Sequence, residues 1–385
     1  MAQSPAVSGP SYPAAGLVAA RVAGHFARHV TEARPEGHPE PATPPDAEVI
    51  EAIAEAAFWA SLRREEGASP TISVAFLSPE QSRRPLCFER PLPLAAGPLT
   101  RLAPAVERPG VHLGVWRIGR ELRVWGVTRT LPPFCFVLEV VGPGLLVLKH
   151  RGDRDAAKFV NIAVLEGDQV KVIDESRSRL TDGMSPACPL LGADPVDAGI
   201  ESADILLQLA VSLRAHGRGG TLLVVPAGSS AWRESVVETG LYAFEPTPSS
   251  LSELTRREAD ARGTLEWRDA VRRAVDGLAG LTAVDGATII SKRYDLLAFG
   301  VKLGPRDGSP RVERILVTEP VAGAVRSEIE PAELGGTRHL SAAQFVHDQR
   351  DAIGLVASQD GRVTVFTWSG QDRKVRAHRI DILLL

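Results

Sequence analysis

The sequence predicts a two-part α+β protein. Its first half is a domain dominated by antiparallel strands, and its second half is a mixed β-sheet flanked by helices. Three observations predict it. Residues 71–175 carry repeated hairpin signals, in which β-branched and aromatic runs are split by Gly-containing turns. Beyond residue 200, helical periodicities alternate with short apolar runs. Between the two lies SRSRLTDGMSPACPLLGADPVDAG (176–199), rich in Ser, Gly and Pro, which reads as a linker.

With 385 residues there is length for a core in each half. Apolar residues at 44% and charged residues at 24% are those of an ordinary globular chain. The net charge of −3, with both signs interspersed, argues against a nucleic-acid footprint. Only six of the basic residues are Lys; the Arg, Ala, Gly and Pro usage reads as the bias of a GC-rich genome. No apolar run is long enough for a membrane helix, and the first residues lack a signal peptide's basic and apolar regions. Cys87, Cys135 and Cys188 form no CxxC and no even disulfide framework. Reduced thiols in a cytoplasmic protein are therefore expected.

Residues 1–45 read as a disordered start, a short helix and a Pro-rich linker. Leu17, Val18, Val22, Phe26 and Val30 have helical spacing, and TEARPEGHPEPATPPD carries five prolines in sixteen residues. The first domain is expected over 46–175. Asp46 is the N-cap of a helix with an apolar stripe at Val49, Ile50, Ile53 and Ala57, and Gly67 is its expected stop. TISVAFL is a strand. HLGVWRIG and ELRVWGV flank Gly119–Arg120, and two further hairpins turn at Gly142–Gly144 and Glu166–Asp168. Trp116 and Trp125 read as hairpin core.

The second domain is expected over 200–385. ADILLQLAVSLRAHG is a helix ended by Gly217, and TLLVVP a buried strand. Ser250-x-x-Glu253 reads as a capping box opening a helix through Ala261. A helix with Leu265, Val271, Val275 and Leu278 follows. Then come strands at TAVDGATII, LLAFGVKL, ERILVTE, AIGLVAS, RVTVFTW and VRAHRIDILL.

Two segments here can carry chemistry. Asp285-Gly286-Ala287 places a carboxylate beside residues with minimal side chains, so a ligand can approach the backbone; the plain alternative is a hairpin turn. Gly335-Gly336-Thr337-Arg338-His339 precedes an S-x-x-Q box at Ser341 and Gln344, which places it at a helix N-terminus. Backbone N–H groups, the dipole and a guanidinium there make an anion site; the alternative is a polar surface loop. Gly217–Gly220 precedes a strand rather than following one, so it is no dinucleotide fingerprint. His347 has no metal-spaced partner and reads as an exposed helix residue. Arg373-Lys374-Val375-Arg376 reads as a solvated strand end.

Taken together, these two segments and the later Ser358-Gln359-Asp360-Gly361 resemble the diadenylate cyclase family over about residues 200–385. That family carries DGA, GTRHR and Ser-Glu-Glu motifs. This chain departs from them at Val284, Leu340 and Gln359, and an insertion is expected between Gly304 and Gly335. The first half resembles the amino-terminal sensor modules fused to some members. The resemblance implies a cytoplasmic bacterial enzyme that joins two ATP into cyclic di-AMP with release of pyrophosphate, through face-to-face domains of a homo-oligomer. It implies Asp285, Arg338 and His339 as catalytic residues. Gly286, Ala287, Gly336, Thr337, Arg338, His339 and Ser358 would bind the nucleotide, and Asp285 with Asp360 would hold Mg²⁺ or Mn²⁺. Two other functions stay open: a nucleotide-binding sensor of the same fold without turnover, and a structural or interaction module. The sensed ligand is not legible.

Overall fold

The computed structural model describes residues 11–32, 40–64, 67–152, 159–174, 200–238, 242, 249–256 and 264–385. The expected linker 176–199 and Cys188 lie outside the described residues, as do residues 1–10. The chain forms two compact units, Met1–Ile173 with Leu385, and Asp174–Leu384. The fold class is as the sequence predicts: mixed α+β, with a strand-rich first unit and a helix-flanked sheet in the second.

The first unit holds helices α1 (Pro13–Glu32), α2 (Ala47–Ser61) and α3 (Ala96–Val106). Its strands are β1 (Ile72–Phe76), β2 (Leu86–Pro93), β3 (His112–Ile118), β4 (Glu121–Thr128), β5 (Phe136–Gly142), β6 (Leu145–Arg151), β7 (Phe159–Glu166) and β8 (Gln169–Val172). They form one sheet ordered β2-β4-β3-β1-β5-β6-β7-β8. All described pairs are antiparallel except β1 with β3. Asp46 caps α2 as expected, its Oδ1 accepting from Val49 N–H at 2.8 Å. The helix stops at Leu62 rather than Gly67. Residues of all three helices pack on alternate residues of the strands, Ile72, Val74, Leu113, Val115 and Leu138 among them. The first domain, expected over 46–175, also takes in the helix expected before it. Val18, Val22 and Phe26 are fully buried in this core, because α1 offers an apolar stripe that its own helix cannot cover. Trp125 is buried, its Nε1–H donating to the Leu77 carbonyl at 2.8 Å. Only glycine leaves the ring room: a Cβ on Gly114 would lie 2.1 Å from it.

The second unit contains α4 (Ile200–Ala215), α5 (Ser250–Thr255), α6 (Leu265–Leu281), α7 (Pro331–Leu334) and α8 (Thr337–Asp348). Its strands are β9 (Gly220–Val225), β10 (Val236–Glu238), β11 (Ala287–Ser291), β12 (Leu296–Leu303), β13 (Ile315–Thr318), β14 (Ser327–Ile329), β15 (Ile353–Ala357), β16 (Val363–Ser369) and β17 (Lys374–Arg379). The sheet order is β10-β12-β11-β9-β15-β16-β17-β13-β14. Alternation along β9 sends Leu222 and Val224 to a core shared with α4, α5 and α6, and Leu223 and Val225 to the face that Phe345 of α8 covers. The segment 304–335, where an insertion is expected, supplies β13 and β14, which extend the sheet beyond β17.

Several local expectations are corrected. Ser249, not Ser250, caps α5, its Oγ accepting from Ser252 N–H at 3.2 Å; the expected end at Ala261 lies outside the described residues. TAVDG is not strand: α6 runs to Leu281 and β11 starts at Ala287, so Asp285-Gly286 is a helix-to-strand junction and not a hairpin turn. The Ser341–Gln344 box is not a cap, because α8 begins at Thr337 with Gly336 as N-cap. Gln344 instead accepts from Val312 N–H at 3.0 Å. His347 is half-buried, 2.9 Å from Asp348 Oδ1 and edge-on to Trp368. The basic strand end is paired rather than merely solvated, Lys374 with Glu328 and Arg376 with Asp372.

Candidate functional site

Strand direction decides what meets at one edge of the second sheet. β9 and β11 are parallel, so both begin at this edge. β12 and β15 run antiparallel to them and end there, and β16 starts there again. The junction Asp285-Gly286, the end of β12, the loop Ser358–Arg362 and the start of α8 therefore converge. They line a cavity of about 950 Å³. Every site residue implied by the sequence lines it: Asp285, Gly286, Ala287, Gly336, Thr337, Arg338, His339, Ser358 and Asp360.

Gly286 is required by two facts. Its φ is +111°, and a Cβ would lie 2.5 Å from the carbonyl carbon of Gly300 on β12. The bare backbone lets the junction press against β12, and that fixes where Asp285 emerges. Its carboxylate is 87% exposed. Lys302, at the end of β12, donates to Asp285 Oδ2 at 2.5 Å. The Lys302 bond and charge, with Arg338 further off, hold the Asp285 carboxyl below the usual aspartate range. Lys302 was not legible as a site residue: it sits in an ordinary strand, and only the β11–β12 pairing brings it here.

α8 aims its N-terminus into the cavity. Gly336 provides no side-chain cap, and the first turn has no acidic residue. The positive end of the dipole and its N–H groups are thus left for an anion. Thr337 and Arg338 are exposed, and the guanidinium lies over Gly219, where a Cβ would come within 2.9 Å of Nη1. Arg338 has no carboxylate partner among the described residues. His339 is placed differently from its expected role as an open phosphate ligand. It is buried, edge-on to Phe366, and a Cβ on Gly335 would strike its ring at 2.4 Å. Burial pushes its pKa below the ordinary histidine value, favouring the neutral ring.

On the facing loop, Ser358 Oγ donates to Asp360 Oδ1, and Arg362 Nε lies 3.4 Å from Oδ2. Asp360 is consequently held below its usual pKa, first by the Ser358 bond. Among the described residues, no group of three or more His, Cys, Asp or Glu is placed to hold a metal. A cation here would need ligands from a bound molecule, the usual arrangement for Mg²⁺ on one or two carboxylates plus phosphates.

The family model described as "Probable sensor domain DACNV" matches residues 39–129, the stretch that includes α2, α3 and β1 to β4. No curated protein matches the chain. Among solved structures, a double mutant of DacA from Staphylococcus aureus matches at 14% identity and a TM-score of 0.24, over 46% of this chain and 89% of that one. Residues 39–129 of the first unit are thus similar to a sensor-domain family. No described helix is long and apolar enough to cross a membrane.

Proposed function

We propose that the second unit is a diadenylate cyclase domain, and that the first unit regulates it as a sensor. The observation that carries this reading is the convergence of Asp285-Gly286-Ala287, Gly336–His339 and Ser358–Asp360 on one cavity with an open helix N-terminus. These segments are remote in sequence, and strand topology alone unites them. Each domain would hold one ATP. Two domains of a homo-oligomer would face each other, and each ribose 3′-oxygen would bond to the other nucleotide's α-phosphorus as the bond to pyrophosphate breaks. The product is cyclic di-AMP.

Such chemistry needs in-line positioning and charge neutralisation more than covalent help. The α8 N–H groups, Thr337 and Arg338 suit the phosphates. Gly286 and Ala287 let the nucleotide approach the backbone. Neutral His339 fixes the first turn of α8 from below, and Ser358 completes the phosphate side. Mg²⁺ or Mn²⁺ would be held by Asp285 and Asp360 together with the phosphates, and would supply charge compensation. Asp285 would also accept the 3′-hydroxyl proton.

The test is incubation of the purified chain with ATP and Mn²⁺, with chromatography for cyclic di-AMP. Product is expected, and Asp285→Asn or Arg338→Ala should lower its rate by roughly 10²-fold, the scale of one preorganised electrostatic group. A second reading has its own support. Lys302 already neutralises Asp285, and Gln359 stands where the family has a glutamate. ATP binding without product would select this reading, a nucleotide-binding sensor without turnover.

A further inference from the structure

The first unit has a polar site of its own. Its helices cover one face of the sheet; on the opposite face, β3, β1 and β5 bring three polar residues into a row. Ser73 pairs in register with Glu139, and His112 Nδ1 lies 2.7 Å from Ser73 Oγ. Lys149, on β6, extends the row by donating to Glu139 Oε2 at 2.5 Å. Ser73, His112 and Lys149 are buried, on a face that further along is apolar, with Ala75, Leu77 and Val137. Isolated apolar packing would not need this row.

The row lines a cavity of about 1180 Å³. Arg83, Arg129 and Arg151 also line it, and among the described residues none of the three has a carboxylate partner. Among the described residues, Arg151 Nε is buried with no hydrogen-bond acceptor, the condition in which a donor is most costly to leave unmade. Arg83 is close enough to Arg151 to depress its pKa further, after burial has done most of it. Two guanidinium groups therefore share a pocket that Glu40, Glu107 and Glu139 also line, and among the described residues none of these carboxylates pairs with either. Leu131 and Phe159 add apolar wall, and Lys149 lies 5.3 Å from the Phe159 ring centroid.

We propose that this cavity is the effector site of the first unit, and that it takes a small organic polyanion. Its phosphate or carboxylate groups bridge Arg83 and Arg151, and its body lies against Leu131 and Phe159 above the Ser73–His112–Glu139–Lys149 row. Guanidinium forks bind either anion bidentately. The site needs more than the family-matched stretch: Ser73, Arg83, His112 and Arg129 fall within residues 39–129, while Glu139, Lys149 and Arg151 fall after it. It is also independent of whether the second unit turns over ATP.

The test is isothermal titration calorimetry on the full chain carrying Arg338→Ala, so that the second unit's phosphate site is weakened. Pyrophosphate and citrate are the two probes, one for each anion chemistry. At least one should bind with a single site, and adding Arg151→Ala should weaken it at least about tenfold, the scale of a lost charge-assisted pair. The probe that binds more tightly names the chemistry. Arg83→Ala, on an exposed side chain, should act in the same direction and carries the test if Arg151→Ala fails to fold. Failure of both probes to bind in the millimolar range overturns the proposal. So does binding that both variants leave unchanged.

Discussion

The Lys302 ammonium lies 2.5 Å from Asp285 Oδ2, across the paired ends of β11 and β12. The carboxylate that the cyclase reading assigns to a divalent cation is therefore already matched by a fixed one. Both side chains are largely exposed, so the pair adds little to stability. Its consequence is competition: a metal at Asp285 must share the site with a positive charge. Lys302→Met should leave the thermal midpoint unchanged. It should also lower the Mn²⁺ concentration needed for half-maximal ATP binding by roughly threefold, as expected on removing one nearby like charge. A Mn²⁺ requirement that does not move, measured by titration at fixed ATP, would show that the metal does not use Asp285.

Two cavity glycines should respond unequally to the same change. Gly286→Ala forces a Cβ into the backbone of Gly300 and strains a φ of +111°. It should cost on the order of 1–3 kcal/mol and abolish nucleotide binding. Gly336 has φ −74° and open space around its Cβ position. Gly336→Ala should cost less, about 0.5–1 kcal/mol because glycine is preferred over alanine at an N-cap, and keep ATP affinity within a few-fold. Urea unfolding and ATP titration of the two variants check the contrast. Equal losses would mean that Gly286 is not what shapes the pocket.

What the sequence showed and hid follows from the range of each interaction. The β3–β4 hairpin was legible because its turn is local, with Gly119 at φ +65° between two aromatic strands. The motif residues of the second unit were legible because each pattern is short, though the sequence placed Asp285 in a strand and began α8 too late. β2 was missed, since its exposed face and two prolines read as loop, and α3 carries Pro104 inside it. The parallel β1–β3 pair was missed because its crossover through β2 and α3 leaves no local mark. Lys302, the buried seat of His339, and the Ser73–His112–Glu139–Lys149 row depend on strand register between distant segments, which no window of sequence contains.

If two second-unit domains share one reaction, activity must depend on assembly. One cavity offers one nucleotide, so a lone chain can bind ATP but cannot supply the second. The rate of cyclic di-AMP formation per chain should rise with protein concentration below the dimer dissociation constant and level off above it. Light scattering at the same concentrations should place the midpoint of association beside the midpoint of activation. A constant rate per chain from a sample that scatters as a monomer would refute the face-to-face mechanism.

Each unit also buries a histidine whose burial favours the neutral ring. His378 lies between Thr318 Oγ1 at 2.6 Å and Thr367 Oγ1 at 3.3 Å, and burial followed by repulsion from Arg376 and Arg326 pushes its pKa down to about 4. Burial likewise takes His112 down to about 4. In the unfolded chain both return to about 6.5. Between these values the unfolded state binds more protons than the folded one, so protonation favours unfolding. The histidine contribution to stability is therefore full above about pH 6.5 and is lost progressively as pH falls toward 4. Each histidine should add a slope on the order of 1 kcal/mol per pH unit within that window. His378→Gln should remove the contribution of His378 and leave that of His112, giving a shallower fall in urea midpoint between pH 7 and pH 5 than the unsubstituted chain. The comparison is of slopes, so any general destabilisation by the glutamine cancels. Parallel slopes for the two proteins would show that His378 titrates normally and that its burial does not set the acid sensitivity of the second unit.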